Sequence, residues 1–240
     1  MDTIKINKGN AQIVAHRGLS GIERENTAAA FVAAGNRSYF GIETDVRVTA
    51  DGNFILLHDG DAVRCGGDNI IPEQSTLQTI QSVQLFEKNG ERGRVDLRIP
   101  TMTDYLRICK CYDKVCVLEF KGYFSEENMV KVVDIVKAEY CLEKMIFISF
   151  AFENLINLRN VCPEARCQFL TGQLGEGLLE RLVENKIDLD IWYGAFTEEA
   201  QVREFLDNGI EVNVWTVDKK EDAERLISWG VQYVTSNILE

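Results

Sequence analysis

The chain has no apolar run approaching the roughly 18 residues that a membrane-crossing helix needs. Its opening, MDTIKINKGNAQIVAHRG, also lacks the apolar stretch of a signal peptide ahead of the first strand-like segment. A cytoplasmic protein without stable membrane insertion is expected. Basic charge is short as well: 26 Lys and Arg stand against 38 Asp and Glu, a net charge of −12. No nucleic-acid partner is expected, because wide contact with phosphates needs a basic surface. A small anion held by a local Arg, Lys or metal stays allowed. Paired cysteines are missing too. Seven is an odd number, and Cys109, Cys111 and Cys116 have neither the paired spacing of common zinc sites nor a nearby His. Reduced, mostly buried thiols are the expectation.

Histidine is scarcest of all. The two in the chain, His16 and His58, fall at the ends of one stretch, AHRGLSGIERENTAAAFVAAGNRSYFGIETDVRVTADGNFILLHD. Each closes a short apolar run, Ile13–Ala15 and Phe54–Leu57, which puts both imidazoles at strand ends where a site can open. Between them, Glu43 and Asp45 stand at i and i+2, on the same face of a strand. Two imidazoles around paired carboxylates suit metal-assisted acid/base chemistry.

Strand-like and helix-like stretches alternate along the whole chain. Strands are expected at Gln12–His16, Phe40–Val48, Lys114–Phe120, Lys144–Phe150, Arg166–Leu170, Ile187–Trp192, Glu211–Val217 and Gln232–Thr235. Helices are expected at Ala28–Ala34, Asp104–Cys111, Ser125–Tyr140, Phe152–Asn160, Gly177–Asn185, Glu198–Asn208 and Lys219–Trp229. Asn26 or Thr27 caps the first of them, and Ser125 the third. Phe54–His58 reads as a short extra strand turning back on the second through Asp51-Gly52. Eight strands alternating with helices favour a parallel sheet closed into a TIM-type (β/α)8 barrel, with residues 1–240 as one catalytic unit. Residues 59–100 are too long for an ordinary connection and read as a small insertion after the second strand, a lid without a core of its own.

In such barrels the site lies at the C-terminal strand ends. His16, Glu43, Asp45, Glu119, Lys121, Ser149 and Trp215 all fall late in, or just after, an expected strand. Glu119 interrupts the apolar run Val115–Leu118, and a buried charge there needs a partner or a metal. Glu43, Asp45 and Glu119 offer hard oxygen ligands for one divalent cation, Mg²⁺ or Ca²⁺, with Mn²⁺ also allowed. The same residues also allow ion pairs of Glu43 and Glu119 with Arg17, Arg47 or Lys121. Arg17 suits a phosphate oxygen, or a salt bridge to Glu25 or Glu43. Trp215, on one strand face with Asn213, either fills the barrel or walls the alcohol part of a substrate.

These residues carry a family resemblance. His16-Arg17-Gly18, Glu25-Asn26-Thr27, Glu43-Thr44-Asp45-Val46, Asp51-Gly52 and His58-Asp59 resemble the opening pattern of the glycerophosphodiester phosphodiesterase family. Leu118-Glu119-Phe120-Lys121, Ser149-Phe150 and Val214-Trp215-Thr216-Val217 resemble its later strands, so the match runs from Ile13 to about Asn237. The resemblance implies a cation on Glu43, Asp45 and Glu119, acid and base roles for His16 and His58, and phosphate held by Arg17 and Lys121. It implies conversion of a glycerophosphodiester and water to glycerol 3-phosphate and an alcohol.

Two positions depart from the pattern: Arg24 stands where the family has Pro, and Thr235-Ser236 where it has Thr-Asp. A phospholipase D-like lyase of the same barrel class is an alternative, although those proteins are secreted and disulfide-bonded. A non-catalytic phosphodiester-binding barrel is another, although a binder has no need of two proton-transfer groups. Head-group preference and oligomeric state are left open by the sequence.

Overall fold

The alternation of apolar runs and capped segments is realised across residues 2–240, the part described by the computed structural model. In order come β1 (Gln12–Ala15), α1 (Ala28–Gly35), β2 (Gly41–Val48), β3 (Phe54–Leu56), α2 (Val63–Gly66) and α3 (Leu77–Ser82). Then follow α4 (Met102–Cys111), β4 (Val115–Phe120), α5 (Glu126–Glu139), β5 (Met145–Ser149), α6 (Phe152–Val161) and β6 (Cys167–Thr171). The last elements are α7 (Leu178–Asn185), β7 (Asp188–Trp192), α8 (Glu199–Asp207), β8 (Val212–Trp215), α9 (Lys220–Ser228) and β9 (Tyr233–Ser236).

Eight strands pair in parallel, in the order β1-β9-β8-β7-β6-β5-β4-β2, and β1 pairs again with β2. The sheet is therefore a closed TIM barrel with helices between its strands. β3 stands outside this ring. It pairs antiparallel with the upper end of β2, Val46–Val48, beyond the two residues, Gly41 and Ile42, that pair with β1. The Asp51-Gly52 turn makes this return, with Gly52 at φ +75°.

Several expected strands start one residue later than the sequence suggests: at Val115, Met145, Cys167 and Val212 rather than at the Lys, Lys, Arg and Glu preceding them. Those polar residues stand at the barrel entrance, where pairing has only begun. Arg166 and Glu211 each offer a carbonyl to the neighbouring strand. The caps follow the side-chain chemistry. The Thr27 hydroxyl accepts from Ala30 N–H, Ser125 from Asn128 N–H, and Thr101 with Asp104 forms a reciprocal capping box on α4.

Two apolar layers follow from strand alternation. Leu118, Phe147, Leu189 and Val214 point outward and are fully buried under the helices. Truncating one of them, as in Leu118→Ala, removes about 2–5 kcal/mol of stability. Val14, Val117, Ile146 and Tyr233 point inward and fill the lower barrel. Above that plug the inward positions turn acidic.

The insertion carries α2, α3 and a short 3-10 turn at Pro72–Gln74. Its buried Ala62, Cys65, Ile80, Val83, Leu85, Leu97 and Ile99 form a small apolar cluster. Ile55 and Leu57, from β3 and the residues after it, complete that cluster, so the insertion is seated on the barrel. Arg24, the residue standing in place of Pro, donates to the carbonyls of Phe86 (2.6 Å) and Glu87 (2.5 Å). It ties its loop to the insertion instead of stiffening it.

Candidate active site

β2 and β4 set the acidic layer. Their register aligns Glu43 with Val117 and Asp45 with Glu119, so all three carboxylates face inward at neighbouring heights. Their ligand oxygens lie within 4.8 Å of one another, and all three residues are buried. Like charges this close repel. Burial first, then Asp45 and Glu119, pushes the Glu43 carboxyl well above the usual carboxylate range. Burial and then Asp45 push Glu119 up to about 7. Burial would raise Asp45 as well. The combined charges of Lys121 and Arg17 outweigh it and hold Asp45 below the usual range.

Two cations face these acids. Lys121 Nζ lies 2.6 Å from Glu119 Oε1 and 3.1 Å from Asp45 Oδ1. The second approach is off-line, so Asp45 Oδ1 has a close cation but no hydrogen bond. Arg17 Nε is likewise 3.4 Å from Asp45 Oδ2 without a hydrogen bond, while Arg17 Nη1 donates to Glu25 at 2.8 Å. Of the ion pairs the sequence allowed, Lys121–Glu119 and Arg17–Glu25 form. Arg47 turns away, to Glu73 and the carbonyls of Leu57 and His58.

The donor set fits a hard divalent cation: three buried carboxylates, acids outnumbering cations, and a fully buried oxygen, Asp45 Oδ1, left without a hydrogen bond. A buried acidic cluster able to hold such an ion is thus present.

The loop after β1 is built to serve this layer. Arg17 adopts φ +53°, which turns its N–H onto Glu43 Oε2 at 2.8 Å. Gly18 follows at φ +74°, and a Cβ there would meet Ala30 at 2.7 Å, so only glycine lets the loop pack on α1. Asn26, at φ +52°, donates to Asp45 Oδ2 at 2.7 Å and accepts from the Thr44 hydroxyl. Glu25-Asn26-Thr27 therefore holds Arg17, holds Asp45 and caps α1, in that order.

Both imidazoles are oriented through Nδ1. His16 Nδ1 meets Asn237 Oδ1 at 2.7 Å, and Asn237 Nδ2 donates to the Asp218 carboxylate at 2.6 Å. Asn237 Oδ1 is then an acceptor, so His16 carries its proton on Nδ1 and leaves Nε2 free to accept. Nε2 lies 4.0 Å from Glu43 Oε2. Burial, then Arg17, pulls His16 down to about 4. His58 Nδ1 donates to Asp59 Oδ1 at 2.7 Å, and Asp59 is held down to about 2, where hydrogen bonds from Arg64 and His58 outweigh burial. Burial lowers His58 too, against the raising charge of Asp45.

His16, Arg17, Glu43, His58, Glu119, Lys121 and Trp215 line one cavity of about 130 Å³ at the C-terminal mouth, with Asp45 directly behind Lys121. Every residue singled out in the sequence as catalytic, cation-binding or substrate-binding is brought together here. A larger, shallower groove of about 460 Å³ lies outside the barrel between the β2–β3 turn, α4 and α5. It contains none of these residues.

Sequence reasoning missed several contributors. Phe150, half exposed, meets Trp215 edge-on at 5.6 Å between ring centres. With Ile148 and Leu170 these rings make one apolar wall. Asp190 lines the same cavity; burial, then Glu119, pushes its carboxyl well above the usual range. Asp218 and Asn237, on loops after β8 and β9, had no pattern to betray them. Ser149 lies in the core, where it accepts from Ala151 N–H and Asn154 to turn β5 into α6.

The mouth of this TIM barrel thus gathers three carboxylates, two cations and two oriented imidazoles, a set suited to acid/base chemistry on a phosphodiester. Residues 16–239 match the Glycerophosphoryl diester phosphodiesterase family. The chain belongs to that family and is an enzyme of the phosphoric diester hydrolase class. It is 30% identical to a glycerophosphodiester phosphodiesterase of Caldanaerobacter subterraneus subsp. tengcongensis, across 94% of this chain and 93% of that protein. Among solved structures it resembles a phosphodiesterase of Oleispira antarctica in complex with the product sn-glycerol-3-phosphate. The TM-score is 0.87 at 24% identity, covering 94% of this chain and 92% of the other. A glycerophosphodiester phosphodiesterase of Parabacteroides distasonis gives a TM-score of 0.79 at 26% identity, covering 96% and 94%. Among the described residues, no helix is long and apolar enough to cross a membrane.

Proposed function

We propose that the chain hydrolyses glycerophosphodiesters to glycerol 3-phosphate and an alcohol, with His16 and His58 as the proton-transfer pair. The observation that supports this most is the convergence of two imidazoles, two cations and three acids on one cavity. Glu43, Asp45 and Glu119 would hold one divalent cation, Mg²⁺ or Ca²⁺, with Mn²⁺ as a further candidate. When bound, it supplies Lewis-acid polarisation of a phosphoryl oxygen.

The chain's own groups do the rest. Arg17 and Lys121 hold the phosphate oxygens and offset their charge as the new P–O bond forms. His16 has an amide partner and a depressed pKa, so its Nε2 is free to take the proton of the nucleophile. Burial lowers His58 too, but its carboxylate partner Asp59 opposes that and favours an imidazolium, so His58 is the one that hands a proton to the departing alkoxide as the old P–O bond breaks. Trp215 and Phe150 wall the alcohol side of the cavity.

A coupled assay for glycerol 3-phosphate with glycerophosphocholine tests the reading, with and without chelator. Turnover that disappears in chelator and returns with Mg²⁺ or Ca²⁺ supports it. Binding without turnover identifies a non-catalytic barrel instead, and a cyclic phosphate as final product identifies a lyase.

A further inference from the structure

The insertion delivers one guanidinium to the edge of the active site. Arg64 lies on α2, and its side chain reaches two acids at once. Nε donates to Asp59 Oδ2 at 2.5 Å, and Nη1 and Nη2 donate to the two oxygens of Glu25, each at 2.7 Å. Both acids are engaged a second time: Asp59 Oδ1 holds His58 Nδ1, and Glu25 Oε1, already bonded to Arg64 Nη2, also accepts from Arg17 Nη1. His58, Asp59, Arg64, Glu25 and Arg17 thus form one continuous chain of hydrogen-bonded charges around the rim.

We propose that Arg64 is a positioning residue that holds His58 and Arg17 in a single frame by clamping Asp59 and Glu25. The proposal rests on the roles given above to His58 and Arg17. A half-exposed arginine in an ordinary surface ion pair contributes about 0–1 kcal/mol and positions nothing. Arg64 differs in geometry. Its fork meets Glu25 in two parallel bonds, the arrangement that fixes direction as well as distance. Its two acids are more covered than it is, at 16% and 29% exposure against 46%.

The platform beneath it is built to be rigid. Cys65 is buried, and its carbonyl accepts from Phe86 N–H at 2.7 Å. Arg92 stacks over the Phe86 ring at 4.7 Å and donates to the Gly66 carbonyl. Gly67 ends α2 at φ +76°, where a Cβ would meet Phe86 at 2.7 Å. Asp59 fixes which His58 nitrogen carries the proton. Its own orientation is fixed by Arg64.

Kinetics of the full-length enzyme on glycerophosphocholine with saturating Mg²⁺ separate positioning from mere stability. Arg64→Gln is expected to lower kcat/KM by about 10–100-fold, with kcat falling through His58 and KM rising through Arg17. Arg64→Lys keeps the charge but not the fork, and recovers only part of the loss. Adding Arg64→Gln to Asp59→Asn is expected to leave kcat within about twofold of Asp59→Asn alone, because both changes break the same link.

Three results overturn the proposal: kcat and KM of Arg64→Gln within about twofold of wild type; full recovery by Arg64→Lys; or independent, multiplicative losses in the double variant. Should Arg64→Gln fold poorly, the Arg64→Lys kinetics per folded molecule decide. If His58→Ala or Arg17→Ala turns over normally, the functional reading beneath the proposal fails instead, and the two failures are told apart.

Discussion

Asp45 and Glu119 are register partners on adjacent parallel strands, and the Lys121 ammonium bridges their carboxylates at 3.1 and 2.6 Å. Two acids at one height inside a barrel need positive charge, and Lys121 supplies part of it. On the proposed reading it would compete with a divalent cation for the same oxygens while holding the phosphate. Lys121→Met is therefore expected to move two quantities in opposite directions. Cation affinity should tighten by at least about tenfold, since a neighbouring positive charge is gone. KM for the diester should rise. Calorimetric titration with Mg²⁺ and steady-state kinetics check the two arms.

Cation binding should depend on pH in a definite direction. Glu119 is pushed up to about 7 by burial and Asp45, so below that pH an incoming cation must displace its proton. Affinity is expected to fall as pH drops, by at least about tenfold per unit below pH 7, because protons compete for Glu119 and also for Glu43, whose carboxyl is raised as well. Titrations at pH 8, 7 and 6 test this, and a flat profile would show Glu119 ionised without the ion.

Removing either imidazole should stop proton transfer without unfolding the barrel. His16→Ala and His58→Ala are each expected to lower kcat by at least about a hundredfold. Both rings keep some exposure at the mouth, so thermal midpoints should stay near wild type. Asn237→Ala should also slow turnover, by about tenfold, because it frees His16 to adopt the other tautomer. Near-normal turnover in Asn237→Ala would contradict the proton placement on Nδ1.

The apolar wall should act on binding more than on chemistry. Trp215→Ala and Phe150→Ala remove apolar faces of the cavity and no titratable group. KM is expected to rise several-fold with kcat nearly unchanged, the pattern for a contact equal in ground and transition states. A fall in kcat with constant KM would place these rings at the reacting centre.

Much of this was legible because barrel chemistry is written at strand ends. Glu43-Thr44-Asp45 and Glu119-Phe120-Lys121 read as polar breaks in apolar runs, and i, i+2 spacing put each pair on one face. The parallel register of β2 and β4 then brought the pairs together. Asn237 and Asp218 were not legible. They lie on loops, where no periodicity marks direction, and their meeting depends on closure of the barrel between β8, β9 and β1. Ser236 stands where the family resemblance expects an acid. Asp218, from the neighbouring loop, reaches both Ser236 and Asn237. Arg64 was hidden for the same reason, since the composition of the insertion says nothing about which side chain turns inward.

The most direct measurement is release of glycerol 3-phosphate from glycerophosphocholine by wild type and by Glu119→Gln, in excess EDTA and again after adding Mg²⁺ or Ca²⁺. Wild type is expected to fall silent in EDTA and recover with the ion, while Glu119→Gln stays largely silent in both. Full turnover by wild type in excess chelator, or by Glu119→Gln under any condition, would contradict a cation held by Glu43, Asp45 and Glu119.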